Sequence, residues 1–220
     1  MARKKGKNPV GARRNAVAAA IRKRGQSPHN IWVIRPPFDS QDIVLNSDVA
    51  MEVFYYLEGE HRFTDIDYHV LRTSAGSDKS PSIVDRIFAH VTCEDGSERE
   101  VVFCWELPSA EHVSIEGGPR YYLTMPMIDR AAQRIENWRR VIPCIRRIRN
   151  YPTATLQRLI LLDFTPGRRR SIREVLAAFR DDDQALVLGA LATLLRRREL
   201  RSDLDENAWS LNTCLWSALS

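Results

Sequence analysis

The charged residues of this 220-residue chain fall into three blocks whose signs alternate. Residues 2–24 hold nine basic residues and no acidic one, and Arg120–Arg180 hold 14 basic residues against four acidic ones. Between them, Asp39–Glu116 hold 17 acidic residues against five basic ones. Two cationic blocks are typical of a protein that holds an anionic polymer, and the carboxylates between them can hold cations.

The first basic block, called the N-terminal arm below, is a candidate for nucleic-acid binding. Its basic residues are Arg3, Lys4, Lys5, Lys7, Arg13, Arg14, Arg22, Lys23 and Arg24. The alanine-rich run Ala16–Ala20 favours a helix that forms when a phosphate backbone binds the neighbouring charges. A disordered tail that increases solubility is the alternative interpretation.

The cysteines and histidines lack the spacing of a metal or disulfide site. No two cysteines form a C-x-x-C motif, so we predict four small buried side chains: Cys93, Cys104, Cys144 and Cys214. The histidines His69, His90 and His112 match no standard ligand pattern and are predicted to be surface or packing residues.

Hydropathy argues against a membrane protein. No apolar stretch approaches the roughly 20 residues that span a bilayer. The basic N-terminus also lacks the apolar segment of a secretory signal. We therefore expect a cytoplasmic protein without a membrane partner, associated with the nucleoid if its source is a bacterium.

The elements that must position the charged residues begin after an extended linker rich in proline, at residues 28–37. A helix that carries Glu52 is predicted next, because apolar residues recur there at helical spacing. Ser47 or Asn46 can cap the start of this helix, and Gly59 ends it.

Strands are predicted after this helix. Three of them lie at Phe63–Arg72, Ser82–Cys93 and Glu100–Leu107, which are rich in aromatic and β-branched residues. Asp95-Gly96 predicts a hairpin turn between the last two. The short apolar run Leu159–Leu162 is predicted to be one more buried strand.

An amphipathic helix is predicted from Thr124 to Val141, with Pro143 interrupting it. Apolar residues at helical spacing form one stripe of this segment and continue beyond the proline. Arginines lie off that stripe, at Arg130, Arg134, Arg140, Arg146, Arg147 and Arg149.

The C-terminal part has the pattern of a winged helix. Ser171 and Glu174 form a capping box that opens one helix, and Asp181–Asp183 suit the start of a second. Arg201–Leu204 and Trp209–Leu215 then predict a two-stranded wing. Such a module can place a helix in the major groove of DNA, or it can serve as a protein-contact module.

Three arginines, Arg196, Arg197 and Arg198, crowd the last turn of the second helix. We expect them to face solvent beside the DNA groove, as DNA-binding residues. The predicted domains are an arm and linker over residues 1–45, a core over 46–165 and a winged-helix DNA-binding domain over 166–220.

Taken in order, these features resemble the TnsA family of transposition endonucleases. The resemblance rests on a helix that carries a glutamate, a strand, a second strand that carries an aspartate, a strand of a hairpin, and the helical tail. The matching segments are Met51–Glu58, Asp65–His69, Ile83–Val91, Val101–Glu106 and Leu195–Thr213. The expected fold class is therefore α/β: a restriction-endonuclease-like core of a mixed sheet with flanking helices, followed by a small winged-helix domain.

The resemblance implies metal-assisted hydrolysis of a phosphodiester, in which carboxylates hold Mg²⁺ and a lysine orients or activates water. By position, Asp85 matches the metal-binding aspartate and Glu52 the glutamate of the helix. Cys104 stands where the family has an acid or an amide, and Glu106 stands where it has the lysine. Both are expected on one face of their strand, because strand side chains alternate.

These departures predict little or no cleavage. A cysteine thiolate is a poor ligand for Mg²⁺, and Glu106 cannot supply the positive charge of a lysine. Glu52, Asp85 and Glu106 could still form a metal site of three carboxylates. The favoured alternative is that Glu106 is an exposed acid at the strand end and that Asp85 pairs with Arg86 or another arginine.

The expected function is that of a DNA-binding subunit of a Tn-seven-like transposition machinery, acting at transposon ends. The resemblance implies double-stranded DNA, a DDE transposase and an AAA+ regulator as partners, and Mg²⁺ as the cofactor of any cleavage. Two other functions stay open. One is a stand-alone DNA-binding regulator or structural protein on a degenerate nuclease fold, and the other is an active metal-dependent DNA endonuclease.

Overall fold

Helices and strands follow one another along the chain in a mixed α/β order, as predicted. The computed structural model describes residues 30–73, 86–106, 118–165 and 167–218. The N-terminal arm, Asp85 and His112 therefore lie outside the described residues.

The chain divides into two compact units. Of the described residues, the first unit comprises 30–53, 65–73, 86–92, 97–106 and 118–125, and the second comprises 54–64, 93–96, 126–165 and 167–218. Among the helices that the structure describes, none has the length and apolar character needed to cross a membrane.

The first unit begins with two paired strands and a helix. β1 (Trp32–Ile34) pairs antiparallel with β2 (Ile43–Leu45), and α1 (Asp48–Gly59) follows and ends in the second unit. The Ser47 hydroxyl accepts a hydrogen bond from the Ala50 amide at 3.1 Å, so Ser47 caps the helix as predicted.

A mixed four-stranded sheet follows, with the strand order β3-β4-β5-β6. The strands are β3 (Phe63–Asp67), β4 (Arg86–Cys93), β5 (Glu98–Cys104) and β6 (Arg120–Thr124). β4 and β5 form the predicted antiparallel hairpin, and Gly96 in its turn has a φ of 79°, which glycine adopts without strain. β6 lies parallel to β5.

Two strands end earlier than predicted. β3 stops at Asp67, because the Asp67 carboxylate accepts a hydrogen bond from the His69 amide at 2.8 Å and α2 (His69–Thr73) begins there. β5 stops at Cys104, and residues 101–104 are buried on both faces of the sheet. The prediction that one strand continues through Glu106 is therefore wrong.

Three helices follow, α3 (Met125–Arg130), α4 (Ala132–Arg147) and α5 (Ala154–Asp163), and all but Met125 lie in the second unit. The predicted interruption at Pro143 is wrong, since α4 runs through it. Pro143 and Arg139, four residues before it, are both exposed, so the N–H that proline lacks is missing on the solvent side of the helix. The strand predicted at Leu159–Leu162 is also wrong, because a short apolar run does not distinguish a strand from a helix.

The C-terminal residues form helices against a three-stranded sheet. In chain order they are β7 (Arg169–Ser171), α6 (Ile172–Ala178), α7 (Gln184–Arg196), β8 (Leu200–Ser202) and β9 (Cys214–Ser217). β9 lies between β7 and β8 and is antiparallel to both. The capping box of Ser171 and Glu174 is confirmed, and Asp183 caps α7. β7 is a strand that the sequence pattern did not predict.

α7 is the most deeply buried helix of this unit. All of its residues from Gly189 to Arg196 are buried, and it packs against α4, α5 and α6. Gly189 allows α7 to approach α4 closely, because a Cβ at this position would lie 2.9 Å from the Cys144 carbonyl oxygen. This buried part of α7 has no surface to present to a ligand.

Candidate functional site

The described residues at the nuclease-like positions, Glu52, Cys104 and Glu106, are not grouped as a metal site. Glu52 is half-buried on α1, Cys104 is buried at the end of β5, and Glu106 is exposed in the bend that follows. Asp85 lies outside the described residues. Within the described ranges, no three His, Cys, Asp or Glu side chains are grouped so that they could hold a metal ion.

Cys104 does not fit a Mg²⁺ site. Its side chain is only 3% exposed, and its Sγ lies 3.9 Å from the Leu123 carbonyl oxygen, to which the thiol donates. A buried thiol in this contact is a soft group and a poor Mg²⁺ ligand. Because β5 ends at Cys104, strand alternation no longer places Glu106 on the same face. The other three cysteines are half-buried rather than buried.

A cleft of about 620 Å³ in the first unit contains one of the histidines, His90. Glu98, Glu100 and Arg120 also line it. Arg120 Nε donates to the Glu100 carboxylate at 3.0 Å, so the cleft contains an ion pair of its own. These side chains do not amount to a metal site, since the described residues include no such group of three ligands.

The three arginines at the end of α7 do not all face solvent, which corrects the prediction. Arg196 is 3% exposed, and its Nε donates to the buried carboxylate of Glu58. Its Nη1 also donates to the Thr64 carbonyl oxygen at 3.4 Å. Only Arg197 is exposed, and it donates to the Gln157 side chain at 3.1 Å.

Arg198 lies two residues beyond the end of α7 and has a left-handed backbone conformation, with a φ of 64°. The amide of Glu199 donates to the Leu194 carbonyl and that of Arg198 to the Leu195 carbonyl, at 3.0 and 3.1 Å. This is the Schellman arrangement, in which glycine usually takes the left-handed position. An arginine here needs a compensating interaction.

The Arg198 side chain supplies that compensation. Its guanidinium donates to the backbone oxygens of Phe63, Glu58 and Glu60 at 3.2, 3.0 and 2.6 Å, and it lies over the Trp138 ring. Burial and the charge of Arg196 together lower the pKa of Arg198 to about 9, although the carboxylates of Glu58 and Glu60 act to raise it. The group is still protonated at neutral pH.

Glu60 joins the same network. It is 1% exposed and accepts hydrogen bonds from Arg62 and from Arg134 Nη1, each at 3.0 Å. Burial acts to raise the pKa of Glu60, but the Arg62 hydrogen bond and the charges of Arg134, Arg62 and His61 lower it to about 2. Arg134 also donates to Asp205 at 2.9 Å.

We call Glu58, Glu60, Arg134, Arg196 and Arg198 the buried ion-pair network. Its cations are held by carboxylates and carbonyl oxygens of the second unit. Moving such an arginine to a DNA phosphate would leave a buried carboxylate or carbonyl without its partner, which is strongly unfavourable. The network is therefore structural.

Exposed arginines are instead concentrated on α4. We call Arg139, Arg140, Arg146 and Arg147 the arginine face; all four are exposed. They form two adjacent pairs seven residues apart, which places the pairs about 10 Å from each other along the helix. The opposite side of α4 is buried, including Trp138.

The two pairs of the arginine face differ in their surroundings. Glu136 lies within 3.9 Å of Arg139 and accepts from Arg140 at 2.9 Å, and Arg139 lies over the Tyr55 ring at 5.7 Å. Arg146 and Arg147 have no ion pair with any described residue. Four guanidinium groups against one carboxylate make this surface strongly cationic, so it can bind a polyanion.

The arginine face was not singled out by the sequence, although its signal was present. The off-stripe positions of Arg140, Arg146 and Arg147 were predicted from helical spacing. What was missing was the recurrence of two Arg-Arg pairs after seven residues, which places both pairs on one face of a continuous helix. The predicted interruption at Pro143 hid that recurrence.

Comparison of the chain with protein-family models, curated proteins and solved structures gave no match.

The buried ion-pair network predicts that alanine substitutions at two neighbouring arginines will lower the free energy of unfolding by unequal amounts. Arg196→Ala leaves Glu58 buried without its partner and should lower the free energy of unfolding by about 3–5 kcal/mol. Arg197→Ala, the matched control, should lower it by less than about 1 kcal/mol. Urea denaturation followed by circular dichroism measures both.

A second variant covers the case in which Arg196→Ala does not fold. Replacing both partners, Glu58→Met with Arg196→Met, removes the charges together and should recover most of the lost stability. Equal, small effects of Arg196→Ala and Arg197→Ala would show that the Glu58–Arg196 pair is not structural.

Proposed function

We propose that the protein binds double-stranded DNA through phosphate contacts of the arginine face. The observation that carries this proposal is the exposure of four arginines on one side of α4 while the other side is buried. Guanidinium groups form two parallel hydrogen bonds with a phosphate, and a distance of about 10 Å between the pairs lets both reach one duplex. We propose that the N-terminal arm adds further phosphate contacts.

The order of elements supports a nuclease-derived origin. We propose that the first elements form a restriction-endonuclease-like core. Their order is α1, which carries Glu52, then β3, β4 and β5, and then β6, which lies parallel to β5. The order α5, β7, α6, α7, β8, β9, with β9 in the centre of its sheet, fits the winged helix proposed for the C-terminal part. Both folds are common among proteins that act on DNA, and neither specifies an activity.

The biological setting that we propose is a Tn-seven-like transposition system, with a DDE transposase and an AAA+ regulator as partners. This setting rests on the resemblance to the TnsA family. A stand-alone DNA-binding or structural protein is the second candidate, and the arginine face favours it equally, because phosphate binding needs no transposition partner. A preference for transposon ends in the presence of the transposase would favour the first candidate.

Removing charges from the arginine face should weaken the dependence of DNA affinity on salt concentration. Each phosphate contact contributes about 0.9 to the slope of log affinity against log salt concentration. Arg146→Gln with Arg147→Gln should therefore lower the slope by about 2. Fluorescence anisotropy with a labelled duplex, measured over a series of salt concentrations, gives this slope.

A matched control removes the same charge elsewhere in the second unit. Arg173 and Arg180 are both exposed, and Arg173→Gln with Arg180→Gln should leave the slope nearly unchanged. An equal fall in slope for both double variants would mean that net charge alone attracts DNA. Absence of binding by the wild-type protein would refute the proposed function.

A second prediction concerns catalysis. We expect no Mg²⁺-dependent or Mn²⁺-dependent nicking of supercoiled DNA by the protein alone, because a buried thiol and an exposed carboxylate occupy positions that need an acid or amide and a lysine. Gel electrophoresis of the DNA after incubation with wild type and with Asp85→Ala is the measurement.

Efficient nicking that Asp85→Ala abolishes would contradict this prediction and establish an active endonuclease. The double variant Cys104→Glu with Glu106→Lys is the informative companion. It tests whether the end of β5 still positions groups for hydrolysis.

A further inference from the structure

We infer that the protein binds DNA duplexes without reading their base sequence, and that its ligand is the phosphate backbone of any B-form duplex. This inference rests on the proposed function. It deepens that function by assigning the class of DNA that the site accepts. Three features of the second unit carry it.

The first feature is the burial of α7. In the proposed winged helix, α7 is the helix that would enter the major groove. All of its residues from Gly189 to Arg196 are buried, and Gly189 brings it against α4 at the Cys144 carbonyl. This part of α7 packs against the neighbouring helices and cannot lie in a groove without unpacking the unit.

The second feature is the charge and the capping at the start of α7, where the helix is exposed. Asp181, Asp182 and Asp183 are exposed there, and the exposed Arg180 beside them pairs with Asp181 at 3.8 Å, so three carboxylates face one guanidinium. The Asp183 carboxylate accepts from the amides of Ala185 and Leu186, at 2.7 and 3.4 Å. The helix N-terminus therefore already holds an anion, and like charges repel a DNA strand.

The third feature is the segment between β8 and β9, which would be the wing. Residues 203–213 contain three acidic residues and no basic one. The Asn137 side chain donates to the carbonyls of Leu204 and Asn207, at 2.6 and 2.8 Å, and accepts from the Trp209 amide at 2.7 Å. The charged residues of this segment are thus acidic alone, of which Asp205 pairs with Arg134, and the segment is held to α4 at three points.

The arginine face remains as an exposed cationic surface, and its proposed contacts are with phosphates. Contacts of arginine with phosphates fix the position of a protein on DNA but carry no sequence information. Residues 189–196 of α7 are buried, and the exposed start of α7 and the β8–β9 segment are rich in carboxylates, so neither element of the proposed winged helix favours contact with base edges. Similar affinity for unrelated sequences is the consequence.

The experiment uses the full chain and two labelled duplexes of about 30 base pairs, with unrelated sequences and equal G·C content. Anisotropy should give dissociation constants that agree within about twofold at every salt concentration, whereas specific binders discriminate by about 10³ or more. Sequencing a random duplex pool after selection on the protein should show no enriched motif.

Gln184→Ala tests the exposed start of α7 separately. Gln184 is the first residue of the helix and is exposed, so a base-reading α7 would lose affinity for one duplex more than for the other. We expect both affinities to stay unchanged. A tenfold preference between the duplexes, or an enriched motif, would overturn the inference while leaving DNA binding in place. Absence of binding to every duplex would overturn the proposed function as well.

Discussion

The ion pair between Glu58 and Arg196 constrains the second unit more than any other interaction, because neither charge can remain buried alone. It fixes the end of α7 to the end of α1. Arg198 extends the constraint: its left-handed backbone costs about 1–3 kcal/mol, and its bonds to three backbone oxygens offset that cost. Its contact with the Trp138 ring orients the buried side of α4, so the opposite side, with the arginine face, is exposed.

The same residue type therefore has two separate roles on one helix. Arg134 points inward, where Glu60 and Asp205 bind it, and it is not available to a ligand. Arg146 and Arg147 lie on the exposed side and have no ion pair among the described residues. Counting arginines in the sequence cannot separate these roles, whereas burial does. The proposed DNA contacts follow from this separation and not from the overall basic charge of +5.

Local signals in the sequence predicted local structure well. Ser47, Gly96 and Ser171 each act within a few residues, and the cap, turn and capping box that they predict are present. Long-range pairing was not predictable in this way. Nothing near Arg196 indicates that Glu58, 138 residues away, will accept its hydrogen bond, and so its burial was missed. The placement of Glu106 on the same strand face as Cys104 was wrong for a related reason, since the sequence does not show that β5 stops at Cys104.

Chemical modification of arginines in the presence and absence of DNA tests the separation of roles most directly. Phenylglyoxal reacts with accessible guanidinium groups, and mass spectrometry of the digested protein locates the adducts. In the free protein, Arg146 and Arg147 should react while Arg196 and Arg198 do not, and saturating duplex DNA should protect the first pair. Reaction of Arg196 in the folded free protein, or full reactivity of Arg146 and Arg147 in the saturated complex, would contradict the account.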